Sequence, residues 1–223
     1  MSAAGPAEPA IGWQASEVSE ELPGLQLLYS AVDVVRRGPV TGDSPPDIES
    51  RLRELSNRVR GARAIGIRRE PVPAAYRVFF RQVGMDPDVE RTPIEAAVLE
   101  RMLRGGFPSG GMLDDVMLIA LLDTGVPVWA LDAGDVQGSL GIRQSREGEP
   151  LGRGRDAPLL PEGRLVVADE DAALAILFGA LAPAHRPHAR TGRVMLYAVL
   201  VPGVPGLFAE EALWSCASSL GTR

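Results

Sequence analysis

An α+β fold follows from a change of period along this chain. Up to Gly125 the apolar residues recur at helical spacing; beyond it come short runs rich in β-branched and apolar residues, several of them separated by glycine or proline. Helices mostly first and strands mostly later predict one domain, an antiparallel or mixed sheet with flanking helices. No glycine fingerprint follows a strand, so a doubly wound nucleotide fold is not indicated.

Residues 1–20, rich in Ala, Pro, Ser and Glu, are expected to be a loosely ordered, flexible tail, and 21–223 the domain. The start has neither a basic nor an apolar leader region, so no secretory signal is expected. A first strand fits "LQLLYSAVDVV", Leu25 to Val35. "SPPDIESRLRELSNRVRG" then reads as a helix capped by Ser44, opened by prolines and closed by Gly61. Its Ile48, Leu52, Leu55 and Val59 make one buried stripe. Helices also fit "VPAAYRVFFRQVG", "TPIEAAVLERMLRGG" and "MLDDVMLIALLDTG", the last two ending in glycine. The strands expected next are "VPVWALD", "SLGIRQ", "RLVVAD" and "RVMLYAVLV", with "REGEPLGRGRDAPLLPEG" as a loop or wide hairpin connection. "AEEALWSCASSL" closes the chain as a helix with Leu213, Trp214, Ala217 and Leu220 on one side.

Composition narrows the chemistry. The 223 residues are 45% hydrophobic and 23% charged, ordinary for a globular protein. A single cysteine, Cys216, permits no internal disulfide and reads as an inert buried thiol; a cytoplasmic setting is expected. All 23 basic residues are arginines, which excludes a lysine Schiff base, a pyridoxal phosphate anchor and a P-loop lysine. With His185, His188 and Cys216 the only soft ligands, no metal site is expected. The net charge of −6 and the mixing of Arg51 to Arg69 with Glu49, Glu54 and Glu70 read as a solvated helix face, which argues against a nucleic-acid partner.

Thr92-Pro93-Ile94-Glu95 has the form of a capping box, with Thr92 as cap, Pro93 in the first turn and Glu95 reaching back to the Thr92 amide. Such a cap contributes about 0.5–2 kcal/mol, reason enough for the carboxylate. Arg69 and Arg77 are candidates for holding a substrate carboxylate in a guanidinium fork; surface exposure for Arg69 and an ion pair for Arg77 are the plainer readings. Trp129, in a strand, is either core or pocket lining. Of Tyr76, Phe79 and Phe80, one is expected in the core and one facing an aromatic ligand. His185 and His188 look like an exposed turn, with a proton-transfer role open.

The order of "AAYRVFFRQVGMDPDVERTPIEAAVLERML", "GVPVWALDAGDVQG", "RLVVADEDAALA" and "ARTGRVMLYAVLVPGVPG" resembles the B3/B4 domain, the aminoacyl-tRNA editing module of the phenylalanyl-tRNA synthetase β subunit, also found as stand-alone proteins. The resemblance runs from about Leu22 to the C-terminus and implies a B3/B4-like single domain. Asp115 and Asp132 match that pattern, whereas Trp129 replaces its histidine, Pro183 its glutamate, and Gly111 and Leu118 its asparagines. Those replaced groups position water and the terminal ribose.

A second group with this fold, the β-carboline-forming Pictet–Spengler enzymes, condenses tryptophan with an aldehyde without a cofactor. By that resemblance Glu95 is the base, an upstream arginine such as Arg69 binds substrate, and the enzyme is a homodimer of an alkaloid pathway; Arg77, Tyr76, Phe80, Trp129 and His185 are the further substrate-binding candidates. The expectation is therefore a cofactor-free Pictet–Spengler cyclase acting on L-tryptophan and an aldehyde. The alternatives are an aminoacyl-tRNA hydrolase or tRNA-binding module, and an aromatic amino-acid binder without chemistry.

Overall fold

A computed structural model describes residues 8–34 and 38–221. The fold is α+β, with two four-stranded sheets and no closed barrel. The first sheet, entirely antiparallel, runs β1 (Ala10–Ile11), β3 (Gln26–Asp33), β8 (Arg193–Leu200), β4 (Val128–Asp132). The second is mixed: β2 (Trp13–Gln14) lies parallel to β5 (Gly141–Gln144), which pairs antiparallel with β6 (Leu165–Ala168) and that with β7 (Ala173–Ile176). Among the described residues no helix is long and apolar enough to cross a membrane.

The N-terminal segment departs from the expected tail. Residues 1–7 lie outside the described residues, but Ala10 and Ile11 pair with β3, Trp13 and Gln14 pair with β5, and Ser16–Glu21 form α1 around a fully buried Val18. Composition misses this because two-residue strands carry no period; they are held by long-range partners. Trp13 lies over Gly141, where an added Cβ would fall 2.1 Å from the indole ring, and its Nε1 donates to the Ser139 carbonyl at 3.1 Å. Glycine at 141 is therefore a requirement of close approach.

The helices follow the sequence pattern closely. They are α2 (Pro46–Arg58), α4 (Pro71–Gln82), α5 (Pro93–Arg104), α6 (Met112–Thr124) and α7 (Gly206–Gly221); after α2 come a short helix the pattern does not indicate, α3 (Gly61–Gly66), and a 3-10 turn at Ile67–Arg69, so Gly61 opens α3 and does not close α2. Leu52, Leu55 and Val59 of α2 are buried, with Ile48 packed beside them. Gly105 and Gly125 end α5 and α6 in the left-handed region, where glycine carries no Cβ penalty. The first long strand covers Gln26–Asp33 of the expected Leu25–Val35; Val35 lies outside the described residues.

Two expectations are corrected by tertiary contacts. Ser44 does not cap α2: the cap position is Pro45, and the Ser44 hydroxyl donates to the buried Asp115 carboxylate at 2.5 Å. Trp214 does not join Leu213, Ala217 and Leu220 in the core; it is 60% exposed while they are buried. α7 packs on β3 and β8 and against α6, and Trp214 lies off that contact stripe. Cys216 is buried as expected, and desolvation pushes its thiol up to about 12. β8 is buried along all but its first residue, so the principal core lies on both faces of the first sheet. A second core joins α2, α3, α5 and α6. α6 serves both, which explains its apolar character all round.

Candidate functional site

An aromatic cluster sits where α4 meets the first sheet. Tyr76, Phe79 and Phe80 project from one side of α4 because their spacing is three and four residues. The Tyr76 hydroxyl donates to the Val199 carbonyl at 2.7 Å, tying α4 to β8, and burial raises its phenol far above the ordinary range. Trp129 of β4 lies directly opposite Tyr197 of β8, so both rings share a face; they stack at 5.5 Å with 15° between planes.

Phe178 joins these groups. It follows β7 with φ 58°, the only non-glycine residue with positive φ among the described residues. Its ring lies 5.1 Å from Phe80, 5.7 Å from Trp129, 5.8 Å from Tyr76 and 5.9 Å from Phe79, centroid to centroid. A guest ring stacked between two of these would need roughly twice a 3.5 Å contact, more than such separations leave. The space between these rings is thus filled, and only the outer side of the half-buried Trp129 and Phe178 is open.

The neighbouring face of α4 carries charge. Arg77, buried, donates from Nη1 to Glu95 at 2.6 Å and from Nη2 to Asp88 at 2.6 Å. Its Nη1 also reaches the Pro87 carbonyl at 3.4 Å. The Thr92 hydroxyl donates to the other Glu95 oxygen at 2.7 Å. The capping box is thus not made as expected: Thr92 accepts no side-chain cap bond, and Glu95 turns to a guanidinium instead of the Thr92 amide. A charge-assisted bond to a fixed arginine outcompetes a neutral amide. The hydrogen bond from Arg77 holds Asp88 below the usual carboxylate range.

Among the seven expected site residues, Tyr76, Phe80 and Trp129 come together around Phe178, and Arg77 joins Glu95 one face away. Arg77 does not offer a free fork to a substrate carboxylate, because it holds two of the chain's own. Arg69 is exposed on the 3-10 turn with no ion pair among the described residues. His185 is not on an exposed turn: it is 2% exposed, its Nε2 accepts from the Arg153 amide at 3.3 Å, and its Nδ1 has no partner among the described residues. Burial lowers its pKa. It belongs to a separate polar cluster in which Arg153 holds both oxygens of Asp169 at 2.8 and 2.7 Å. Nearby in sequence, Asp132 accepts from Thr191 and from Gly134 and lies 3.4 Å from His188 Nε2.

Sequence reasoning missed Phe178 and Tyr197. Tyr197 needed the β4–β8 register, and Phe178 had only the following glycine, Gly179, to mark a tight turn.

Comparison with known proteins supplies the remaining observation. Over 109 residues, 49% of this chain and 12% of the relative, the sequence is 35% identical to the phenylalanine–tRNA ligase beta subunit of Xanthomonas euvesicatoria pv. vesicatoria strain 85-10. About half of this chain is phenylalanine–tRNA ligase beta-like. The corresponding subunit of Neisseria meningitidis serogroup A is 40% identical over 78 residues, 34% of this chain and 10% of the relative. That of Xanthomonas oryzae pv. oryzae strain MAFF 311018 is 30% identical over 139 residues, 62% of this chain and 16% of the relative. This chain spans only a small part of those beta subunits. No family model matches it.

Proposed function

We propose that this chain is a B3/B4-like module that binds the aminoacylated end of a tRNA, with the half-buried Trp129–Phe178 pair as the stacking floor. The carrying observation is that pair itself: two rings 5.7 Å apart, partly exposed, and backed by Tyr76, Phe80 and Tyr197. An aromatic aminoacyl side chain presents a π-face to such a floor, and aromatic pairs contribute about 0.5–1.5 kcal/mol beyond the area they bury. Similarity to phenylalanine–tRNA ligase beta subunits supports the choice of ligand. The test compares Phe-tRNA, Tyr-tRNA and deacylated tRNA binding to the whole chain, with ester hydrolysis followed in the same samples. Trp129→Ala is expected to abolish the preference for the charged forms. Equal affinity for charged and uncharged tRNA in the parent protein would sink the reading.

A second reading is the cofactor-free Pictet–Spengler cyclase. It is favoured by Glu95, a carboxylate only 11% exposed and fixed in orientation by Arg77 and Thr92. Both oxygens of Glu95 already accept a bond from within the protein, which places this reading second. Incubation with L-tryptophan and a panel of aldehydes, read by mass and repeated with Glu95→Gln, separates the two.

A further inference from the structure

Trp214 is the most exposed aromatic residue among the described residues. It lines a cleft of about 340 Å³ between α7 and the edge of the first sheet, together with Leu207, Ser30, Glu8, Glu210 and Glu211. Leu207, 69% exposed, stands two turns before Trp214 on α7, so both lie on one side of the helix. On the sheet, Ile11 of β1 is 70% exposed. It pairs with Leu28 and so shares a face with Leu28 and, two residues on, with the cleft residue Ser30. Exposed apolar side chains from α7 and from β1 are thus on the same side of the sheet. Single exposed apolar residues are ordinary, whereas a grouped set with a polar rim marks an interaction surface.

The charge around this cleft has one sign. Residues 8–32 hold four carboxylates and residues 194–221 hold two, and neither segment contains an arginine or a histidine. Glu8, Glu210 and Glu211 line the cleft, are exposed, and make no ion pair among the described residues. An apolar floor rimmed by uncompensated carboxylates repels phosphate and anionic lipid and favours a partner that brings cations. It also disfavours a second copy of this chain. A two-fold contact along α7 that set Leu207 of each copy onto Trp214 of the other would set Glu210 onto Glu211, like charge against like.

We infer that this cleft docks an amphipathic helix of another protein, with leucine-type side chains toward Trp214 and Leu207 and arginine or lysine on its flanks toward Glu8, Glu210 and Glu211. A helix is the fitting occupant because the two apolar anchors are two turns apart on α7, a spacing that a helix laid alongside repeats. Trp214 is the main anchor: tryptophan is enriched among the few residues that dominate interfaces, and its ring accepts both apolar contacts and a cation over its face. The surface is separate from the aromatic floor. Trp129, Tyr197 and Tyr29 form one cross-strand row, and Ser30, the next residue, turns to the opposite face of the sheet. The two faces can therefore be occupied at once, and the inference does not depend on the tRNA reading.

The probe is a labelled helical peptide as long as α7, with leucine on one face and arginine on both flanks; a control peptide carries glutamate in place of the arginines. Binding to the whole chain is followed by fluorescence anisotropy. The leucine–arginine peptide is expected to bind and the leucine–glutamate peptide is not. Trp214→Ala weakens binding about tenfold or more, and Leu207→Ala repeats the loss at the second anchor. The double variant Glu210→Gln, Glu211→Gln weakens binding about threefold or more and flattens its dependence on salt. Glu162→Gln, Glu170→Gln, at exposed carboxylates beside the second sheet, leaves both unchanged. Trp214 and Leu207 lie outside the core, so these variants keep the parent's melting temperature, measured alongside.

A parent that binds neither peptide overturns the inference. Binding that Trp214→Ala leaves unchanged also overturns it, because the peptide then sits elsewhere on an acidic chain. Equal binding of the two peptides leaves the carboxylates without a role and overturns the stated partner chemistry. If sedimentation shows the parent to be a dimer that Trp214→Ala dissociates, the face joins two copies and the inference falls. None of these results bears on tRNA binding through Trp129.

Discussion

Arg77 and Glu95 form a 2.6 Å ion pair in which the two side chains are only 10% and 11% exposed, so the carboxylate first read as a helix cap is half of a buried charge pair joining α4 to α5. Removing one partner of such a pair leaves an uncompensated buried charge. Arg77→Met is expected to cost about 3 kcal/mol in urea unfolding. The double variant Arg77→Met, Glu95→Leu recovers a large part of that loss, because no lone charge remains. A single variant as stable as the parent would show that the pair contributes nothing.

Phe178 gives the second prediction. Replacing it with alanine removes four ring contacts while keeping the left-handed backbone at φ 58°, for an expected loss of about 3 kcal/mol. Phe178→Gly removes the same contacts but relieves the backbone, and is expected to be more stable than Phe178→Ala by about 1 kcal/mol. Both variants open a ring-sized space beside Trp129, so indole at millimolar concentration raises their melting temperature and not the parent's. Glycine less stable than alanine at this position would contradict the backbone argument.

Acid sensitivity has an upper stage from His185 and a lower one from paired carboxylates, Asp169 among them. His185 has its pKa lowered by burial, so the unfolded chain takes up its proton first: stability is full above the unfolded value of about 6.5 and falls as pH drops below it. For Asp169 burial acts to raise the pKa, but Arg153 and the amides of Gln137, Asp171 and Ala172 outweigh it, and the net shift is downward. Its contribution is full above about pH 4 and is lost as pH falls through its folded value. Urea midpoints measured between pH 8 and pH 3 are expected to decline in two stages. His185→Gln removes the upper stage and Asp169→Asn weakens the lower, which Glu149 and Asp88 share; a profile that His185→Gln leaves unchanged would exclude the histidine as its cause.

Cys216 reports on α7. It is fully buried, its thiol hydrogen is directed to the Val116 carbonyl at 3.6 Å, and its pKa is pushed up to about 12. A soluble thiol reagent is expected to label it only at the rate of unfolding. Rapid labelling in native buffer, with the helix content intact, would show that α7 opens locally.

Helices were the most legible elements. The stripe Leu52, Leu55, Val59 and the glycines at 105 and 125 carry local periodicity and local backbone demands, which any window of sequence displays. The site was legible in part. Tyr76 and Phe80 share a helix face by spacing alone, and Trp129 sits in a strand. That Phe178 lies among them depends on the turn after β7 being folded onto α4, a contact about a hundred residues apart in the chain.

By itself the sequence determined the α+β class, the places of the major helices, the absence of lysine chemistry and the burial of Cys216, because each is set by period, composition or residue type. Only the tertiary structure decided where the polar side chains spend their hydrogen bonds. Ser44 and Glu95 both had local capping amides available, and each took a partner on another element instead: Asp115 for Ser44 and Arg77 for Glu95, with Thr92 donating to the other Glu95 oxygen. Charge-assisted bonds in a buried setting outweigh local capping, and the groups that form them converge only after the chain has folded.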